Sequence, residues 1–298
     1  MAIWFNKAID QRCEDEPLVP GEFLLTSTDF QQIAAMLHSD SGIYLPESRA
    51  ALVYSRLAKR VRSLGLESFR DYCALVARAD GLGERQRMLA ALTTNITHFF
   101  REPHHFEHLR TKVLPPLLEG LSRGARVRIW SAGCSSGEEP FSIALTILSV
   151  IPNAAAFDVK VLATDIDPVM IERGKQAVYS EAGIANVPPD LKYRYFTRTL
   201  KDGEKTWTAT EPLRKLVAFR ELNLNAPWPM KGRFQVIFCR NVVIYFDEAT
   251  QRSICRRFIP LLTTNGWLYL GHSERIVGDA ASAFSSEGIT TYLLKSVP

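Results

Sequence analysis

Residues 127–139 read Val-Arg-Ile-Trp-Ser-Ala-Gly-Cys-Ser-Ser-Gly-Glu-Glu, an apolar strand that runs into a glycine turn and then into a helix. A second apolar strand, 159–163, follows about one crossover helix later and ends at Thr164-Asp165. In α/β domains such a turn brings backbone close to a ligand, and an acid at the tip of the next strand accepts hydrogen bonds from ribose hydroxyls. The two segments therefore predict an α/β domain that binds an adenosine-containing cofactor through the turn at Gly133 and through Asp165.

The spacing of the glycines narrows the choice of cofactor. A dinucleotide fold requires Gly-x-Gly-x-x-Gly, whereas this turn has only Gly133 and Gly137, and Glu138 and Glu139 open the helix. Carboxylates at that position would repel a pyrophosphate but would suit a positively charged amino group. S-adenosylmethionine has such a group and carries no phosphate, so it is the predicted cofactor. The alternative, that the two acids only complement the helix dipole, stays open.

Composition sets broad limits on the class of protein. The 298 residues are enough for two domains, 46% of them are hydrophobic, and the net charge is only +4. No strong field that would attract nucleic acid or a membrane surface follows from that charge. The five cysteines show no Cys-x-x-Cys spacing, as in a reduced cytosolic protein, and no apolar run reaches the ~18 residues that span a bilayer. We therefore expect a cytoplasmic protein with no membrane insertion.

The first part of the chain is predicted to be helical. Residues 1–27 are turn-rich and acidic around positions 13–21 and are expected to form a loosely packed extension, and Thr28-Asp29 could cap the first helix. The predicted helices cover 30–39, 49–64, 68–78 and 84–93. Residues 28–92 are therefore interpreted as a small all-α domain.

From Val127 onward strands alternate with helices, which favours a mainly parallel sheet. The predicted strands cover 127–131, 159–163, 217–221, 234–239, 267–271 and 290–295. Between about 190 and 220 the alternation fails, and short β-prone runs, including 193–196, predict a small antiparallel insert. Residues 93–298 are thus expected to form a Rossmann-like domain with this insert.

Three further segments coincide with predicted strand ends or with the junction of the two domains. They are residues 93–103, 221–224 and 238–246. Ligands of open α/β sheets bind at the carboxyl edge of the strands. We therefore expect these segments and the glycine turn to meet on one rim of the sheet.

These segments together resemble a known family. The sequence contains Thr-Asn-Ile-Thr-x-Phe-Phe-Arg (94–101), Ser-Ser-Gly-Glu-Glu-Pro (135–140), Ala-Thr-Asp-Ile-Asp (163–167), Phe-Cys-Arg-Asn-Val-x-Ile-Tyr-Phe (238–246) and Asn-Gly-Trp-Leu-Tyr-Leu-Gly-His-Ser-Glu (265–274). In this order they are similar to the chemotaxis receptor methyltransferases, CheR, over about residues 28–295. The resemblance implies transfer of a methyl group from S-adenosylmethionine to glutamate side chains of bacterial chemoreceptors, giving glutamyl methyl esters.

The resemblance also implies roles for individual residues. Asp165 would hold the ribose, Glu138 the ammonium of the methionine part, and Asn223 and Leu224 would lie by the adenine. The residues that it assigns to the cofactor, besides Gly133 in the turn, are Asn95, Thr97, Arg101, Glu138, Asp165, Asn223, Leu224, Arg240 and Asn241. The insert resembles a subdomain that, in some family members, docks a peptide from the receptor C-terminal tail by strand addition.

Methylation of a carboxylate makes modest chemical demands. A glutamate is already ionised at neutral pH, so it needs alignment with the methyl donor rather than a strong base. We expect Arg101 to orient the carboxylate, with Tyr245 as a neutral hydrogen-bonding partner. Tyr245 could instead be a core aromatic at a strand end.

Other reactive side chains have simpler interpretations. His98, His104, His105 and His108 invite a metal site, but no set of cysteines or carboxylates with ligand spacing accompanies them, so a surface helix with several histidines and no metal is favoured. Cys134 lies in the cofactor turn and is interpreted as a small turn residue rather than a nucleophile.

The helix over 49–62 has five basic residues and no acid. Arg56 and Arg60 lie one turn apart, opposite its apolar face, and are predicted to bind the acidic helices of a receptor. The chain is expected to act as a monomer without nucleic-acid partners. Two alternative functions are an RNA methyltransferase, which would need aromatic stacking groups beside a basic groove, and a non-enzymatic regulator that binds S-adenosylmethionine.

Overall fold

A computed structural model describes residues 16–201 and 203–295. The chain divides into two compact units between Thr94 and Asn95. The expectations for residues 1–15 lie outside the described residues. Within the described ranges no helix is both long and apolar enough to cross a membrane.

The first unit is all-helical, which confirms the predicted class of this part. Its helices are α1 (Ser27–Ser41), α2 (Ala50–Ser63), α3 (Phe69–Ala77) and α4 (Leu82–Leu92). Val53, Leu57 and Val61 of α2 are fully buried and form one apolar stripe toward the other helices. The predicted helix ends differ from these by one to three residues.

The lead-in to α1 is more ordered than expected. Thr26, rather than Thr28, is the N-cap: its hydroxyl accepts from the Asp29 backbone N–H at 3.1 Å, and the Asp29 carboxylate accepts from the Thr26 N–H at 3.1 Å. Leu25 is fully buried, and Leu18 and Phe23 pack on the same core. The expectation of a loosely packed extension up to residue 27 is therefore wrong for residues 18–26. The capping box fixes the direction in which the chain enters α1.

The predicted basic face of α2 also needs correction. Arg60 donates to both carboxylate oxygens of Glu84, at 2.8 and 2.5 Å, and Glu84 is only 5% exposed. Arg56 donates to the carbonyls of Ala91 and Thr93, at 3.1 and 2.5 Å, at the end of α4. The partners of both arginines come from other parts of the chain. Although α2 itself contains no acid, Arg56 and Arg60 are therefore already paired within this unit.

Burial acts to raise the pKa of Glu84, but the hydrogen bonds and charge of Arg60, together with the hydrogen bonds from Tyr72 and Arg87, outweigh it and lower that pKa. We expect Arg60→Met to lower the free energy of unfolding of this unit by about 1–2 kcal/mol, because Tyr72 and Arg87 still donate to the buried carboxylate. Urea denaturation of the full chain measures it. Arg62→Met is the matched control, since Arg62 pairs with an exposed Glu22 and its loss should lower the stability less than that of Arg60. Equal losses in the two variants would contradict this ranking.

The second unit combines two sheets with flanking helices. Its strands are β1 (Val127–Ala132), β2 (Val159–Asp165), β3 (Val178–Ser180), β4 (Phe196–Lys201), β5 (Glu204–Ala209), β6 (Val217–Glu221), β7 (Phe234–Cys239), β8 (Leu262–Leu270), β9 (Phe284–Gly288) and β10 (Thr291–Leu294). Its helices are α5 (Pro103–His108), α6 (Leu114–Leu118), α7 (Glu138–Val150), α8 (Pro168–Gln176), α9 (Pro189–Tyr195), α10 (Glu211–Arg214) and α11 (Glu248–Phe258).

The main sheet has seven strands in the order β6-β2-β1-β7-β8-β10-β9. The five strands from β6 to β8 are parallel, and β10 pairs antiparallel with β8 and with β9. This confirms the mainly parallel sheet. The sequence interpretation missed β9 and the first five residues of β8, where polar residues interrupt the apolar pattern. The carboxyl ends of β6, β2, β1 and β7 meet at one edge.

The small antiparallel insert is confirmed, with different bounds. Its sheet has the order β3-β5-β4, so it begins at Val178 rather than near residue 190. Residues 193–195, expected in a strand, lie in α9, whose first residue is Pro189. A proline at the first helical position and an acid, Asp190, behind it are helix-start signals that the β-prone side chains obscured. Residues 217–221 belong to the main sheet.

Candidate active site

The glycine turn between β1 and α7 depends on backbone conformations that favour glycine. Gly133 has φ +83°, and a Cβ there would lie 2.3 Å from Cγ2 of Val242. Gly137 has φ +100°, and a Cβ there would lie 3.1 Å from the Phe219 ring. The N–H groups of Gly133 and Cys134 both donate to the carbonyl of Thr164, at 2.7 and 2.8 Å. The turn is thereby tied to the end of β2.

Asp165, the last residue of β2, is buried against this turn. One carboxylate oxygen accepts from the Ser135 N–H at 2.7 Å and the other from the Asp167 N–H at 3.0 Å. A carboxylate offers about four acceptor sites, so capacity for ribose hydroxyls remains. Burial raises the pKa of Asp165, while these backbone hydrogen bonds act in the opposite direction.

The segment that begins at Asn95 lies on the same rim. The Asn95 amide donates to Asp167 at 2.9 Å, and the Asn95 carbonyl accepts from the Ser135 hydroxyl at 3.0 Å. Thr97, two residues further on, is half-buried. Asn95 thus joins Asp165 and the glycine turn in one hydrogen-bonded network, although 70 residues separate Asn95 from Asp165 in sequence.

Glu138, the first residue of α7, is a buried carboxylate. Its Oε2 accepts from the Ser136 hydroxyl at 2.7 Å. Burial raises the pKa of Glu138, with the Ser136 hydrogen bond acting in the opposite direction. A buried acid at a helix N-terminus suits an ammonium group, because pairing would replace the hydration that the carboxylate has lost.

We expect the affinity for S-adenosylhomocysteine to fall as the pH drops toward and below the pKa of Glu138. That pKa lies above the ordinary 4.5, and only the ionised carboxylate attracts the ligand ammonium, so each proton bound opposes ligand binding. Calorimetric titration from neutral pH down to about pH 5 measures the effect. Glu138→Gln should bind more weakly with a flatter pH dependence. Parallel curves for the two proteins would contradict the assignment.

Asn223 and Leu224 follow β6 at the same edge. The carbonyl of Leu224 accepts from the Trp228 indole at 3.1 Å and from Arg257 at 2.8 Å. The Asn223 side chain accepts from the Asn225 N–H at 2.9 Å. These bonds hold the segment in a fixed conformation beside the strand ends.

Asn241 and Tyr245 lie just after β7. Glu274, which is buried, accepts backbone N–H groups of Asn241, Val242 and Ile244, at 2.7, 2.8 and 3.3 Å. These bonds hold Asn241 at φ +58°. Tyr245 is half-buried and is not part of the apolar core, so the core-aromatic alternative is not supported.

Glu274 had no assigned role in the sequence interpretation. The glycine of the Gly271-His-Ser-Glu274 segment was the sequence feature that could have indicated this role. In the structure, a Cβ at Gly271 would lie 2.8 Å from the Glu274 carboxylate. Glu274 also accepts the Gly271 N–H at 2.6 Å. The glycine therefore lets this carboxylate join two loops at the rim.

The side chain of Arg240 lies in a buried cluster of charges. Its side chain is 1% exposed, and it pairs with Glu139 at 3.1 Å and with Glu102 at 3.3 Å. It also donates to the carbonyl of Arg101. The guanidinium is therefore engaged by other groups of the fold, so the predicted cofactor contact of Arg240 would be left to its backbone.

Arg101 lies in a tight turn before α5. Phe100 and Glu102 on either side have φ +53° and +56°, a region that is uncommon for residues other than glycine. Arg101 is half-buried, and its Nη1 donates to the carbonyl of Ile96 at 3.1 Å. Both the conformation of the turn and the side-chain contact restrict where Arg101 can reach.

The sequence predicts a surface helix with several histidines, but one histidine of this region is buried. His105 is fully buried, with Nε2 3.1 Å from the Thr290 hydroxyl, and burial lowers its pKa to about 3. Glu102, His104 and His105 offer ligand atoms within 4.8 Å of one another, a spacing that would suit a metal ion. Arg240, 3.3 Å from the Glu102 carboxylate, already supplies a positive charge there.

Cys134 is buried in the glycine turn. Burial raises the pKa of its thiol well above the ordinary value, which favours the unreactive protonated form. This supports the interpretation of Cys134 as a small turn residue.

A mainly parallel sheet, a glycine turn after its first strand and buried acids at Glu138 and Asp165 define an S-adenosylmethionine-dependent methyltransferase domain. The family model described as "CheR methyltransferase, SAM binding domain" matches residues 95–293, and "CheR methyltransferase, all-alpha domain" matches residues 28–93. The chain belongs to the CheR methyltransferase family, and S-adenosylmethionine is the cofactor of this domain.

Named relatives agree with this assignment. A probable chemotaxis protein methyltransferase of Rhizobium etli is 52% identical over 86% of this chain and 96% of its own length. Chemotaxis protein methyltransferase 2 of Pseudomonas aeruginosa is 42% identical over 91% of this chain and 94% of its own. The chemotaxis protein methyltransferase of Escherichia coli is 39% identical, with 91% and 92% covered.

Proposed function

We propose that this chain transfers the methyl group of S-adenosylmethionine to glutamate side chains on the cytoplasmic helices of bacterial chemoreceptors, forming glutamyl methyl esters. The observation that supports it most is that the rim beside Asp165 and Glu138 also holds Arg101 and Tyr245, in a chain of the CheR family. An ionised carboxylate is the methyl acceptor that an arginine and a neutral hydroxyl at such a rim would suit.

The residues at the carboxyl edge of the main sheet would bind the cofactor. Asp165 would accept the ribose hydroxyls, Glu138 would pair with the ammonium, and Asn223 with Leu224 would lie by the adenine. The bound cofactor supplies an electrophilic methyl group. The further predicted contacts are Asn95 and Thr97 from the segment before α5, Gly133 from the turn and Asn241 after β7.

The acceptor carboxylate needs no strong base, because it is ionised at neutral pH. Arg101 would orient it by a charge-assisted hydrogen bond, and Tyr245 would donate from its hydroxyl. An arginine too close to the attacking oxygen would withdraw electron density and slow the attack. The role of Arg101 is therefore positional, and the reaction gains mainly from alignment and partial desolvation.

The insert is the proposed docking site for a receptor C-terminal tail peptide. In its sheet, β3 and β4 are the outer strands around β5, so a peptide strand can pair with either edge. β4, with six residues, offers the longer one. We further propose that the enzyme works in the cytoplasm as a monomer.

The test is transfer of tritiated methyl groups from S-adenosylmethionine to purified receptor cytoplasmic fragments, with and without their C-terminal tails. Methyl esters release methanol on mild base treatment, whereas methylated RNA does not. We expect base-labile label that disappears when the receptor methylation-site glutamates are replaced by alanine. Base-stable label, or incorporation into RNA under the same conditions, would overturn the proposal.

A further inference from the structure

We infer that the side chain of Arg240 is a positioning group, which acts on methyl transfer by holding the turn of Arg101 in place. The inference rests on the proposed function, because Arg101 is given its role there. Its structural basis is the buried charge cluster of Arg240, Glu102 and Glu139.

The cluster joins three elements at the rim. Arg240 follows β7, Glu139 lies in the first turn of α7 beside Glu138, and Glu102 lies between Arg101 and the first residue of α5. Nη1 of Arg240 donates to Glu139 at 3.1 Å, and Nη2 lies 3.3 Å from Glu102 and also donates to the carbonyl of Arg101. One guanidinium thereby connects α7 with the turn that carries the proposed catalytic arginine.

The turn around Arg101 needs such support. Phe100 and Glu102 both have positive φ, and conformations of this kind persist only where neighbouring contacts hold them. The Phe100 N–H donates to the Ser142 hydroxyl at 2.9 Å, and Glu102 accepts from the backbone and the ring of His272, each at 3.1 Å. The bond from Arg240 to the Arg101 carbonyl lies between these two anchors.

Electrostatics agree with this geometry. Burial acts to raise the pKa of Glu102, but the charge of Arg240 and the hydrogen bonds from His272 outweigh it and lower that pKa to about 2. Glu102 is therefore ionised at neutral pH. A lysine at position 240 keeps the positive charge, but a single ammonium cannot reproduce the fixed fork that reaches Glu139 and the Arg101 carbonyl together.

The test compares Arg240→Lys, Arg101→Ala and the double variant. We expect Arg240→Lys to lower kcat for receptor methylation about 10–100-fold, with S-adenosylhomocysteine affinity close to wild type. In the Arg101→Ala background the same change should have no further effect, because the two residues act through one contact. A full loss in both backgrounds, or no loss in either, would overturn the inference.

Arg128→Lys is the matched control, since Arg128 pairs with Asp158 at the amino end of the strands and should leave kcat unchanged. If Arg240→Lys does not fold, Glu139→Gln replaces it, because it removes one of the groups that hold Arg240, and the same pattern at smaller size is expected. Hydrogen exchange of the peptide 96–102 gives a second readout that needs no methyl acceptor. Faster exchange in Arg240→Lys supports the inference even if receptors prove not to be the substrate, and unchanged exchange opposes it.

Discussion

Arg101→Ala is expected to lower the rate of methyl transfer at saturating cofactor by about 100-fold, the scale of losing one oriented, charge-assisted contact at a reacting group. The affinity for S-adenosylhomocysteine should fall by less than about tenfold. The reason for the difference is that Arg101 is proposed to orient the acceptor carboxylate in addition to lining the cofactor. Single-turnover methylation of a receptor fragment, with calorimetric titration of the product cofactor, measures both quantities.

Arg101→Lys is the control, because it keeps the charge without the planar fork and should fall between wild type and alanine. A normal single-turnover rate in Arg101→Ala would leave Arg101 with a structural role only. Equal losses in rate and in cofactor affinity would assign it to cofactor binding alone.

Asp165→Ala is expected to weaken binding of S-adenosylhomocysteine by about 1–3 kcal/mol, or about 5- to 150-fold. The variant loses the acceptors for the ribose hydroxyls and also the hydrogen bond to the Ser135 N–H that shapes the glycine turn. Asp158→Ala is the control at the opposite end of β2, where the carboxylate pairs with Arg128, and its affinity should be unchanged. Unchanged affinity in a folded Asp165→Ala protein would contradict the assignment.

The elements that depend on local patterns could be predicted from the sequence. The apolar strands β1, β2, β6 and β7 were located to within two residues, because buried parallel strands are continuous apolar runs. The glycine turn could be located as well, since positive φ at Gly133 and Gly137 leaves few alternatives to glycine. The acid at the tip of β2 then follows from the strand end.

What depends on distant partners could not be predicted. Arg60 pairs with Glu84 from another helix, and Arg240 pairs with Glu102 and Glu139 from two other elements. A charge pattern within one helix or one motif shows which residues carry charge, but not which charges the fold neutralises. The same limit applies to Glu274: its four backbone N–H donors at the rim lie in two segments, so the sequence motif alone does not indicate its structural role.

The insert shows a third kind of limit. Its strands are short and half-exposed, so their alternation is weak, and aromatic residues of α9 such as Tyr193 and Tyr195 favour a strand by propensity. Tyr195 is instead buried from the helix. Packing therefore decided the local structure against the propensity.

The most direct test of the central claim is the position of the methyl group on the product. A receptor cytoplasmic fragment incubated with this enzyme and S-adenosylmethionine would be digested at acidic pH, which preserves esters, and sequenced by tandem mass spectrometry. We predict a single added methyl group on the side-chain carboxylate of defined glutamates, lost on mild base treatment and formed about 100-fold more slowly by Arg101→Ala. Methylation found on lysine, on arginine or on a chain terminus, or no methylation of the fragment by a protein that binds the cofactor, would contradict it.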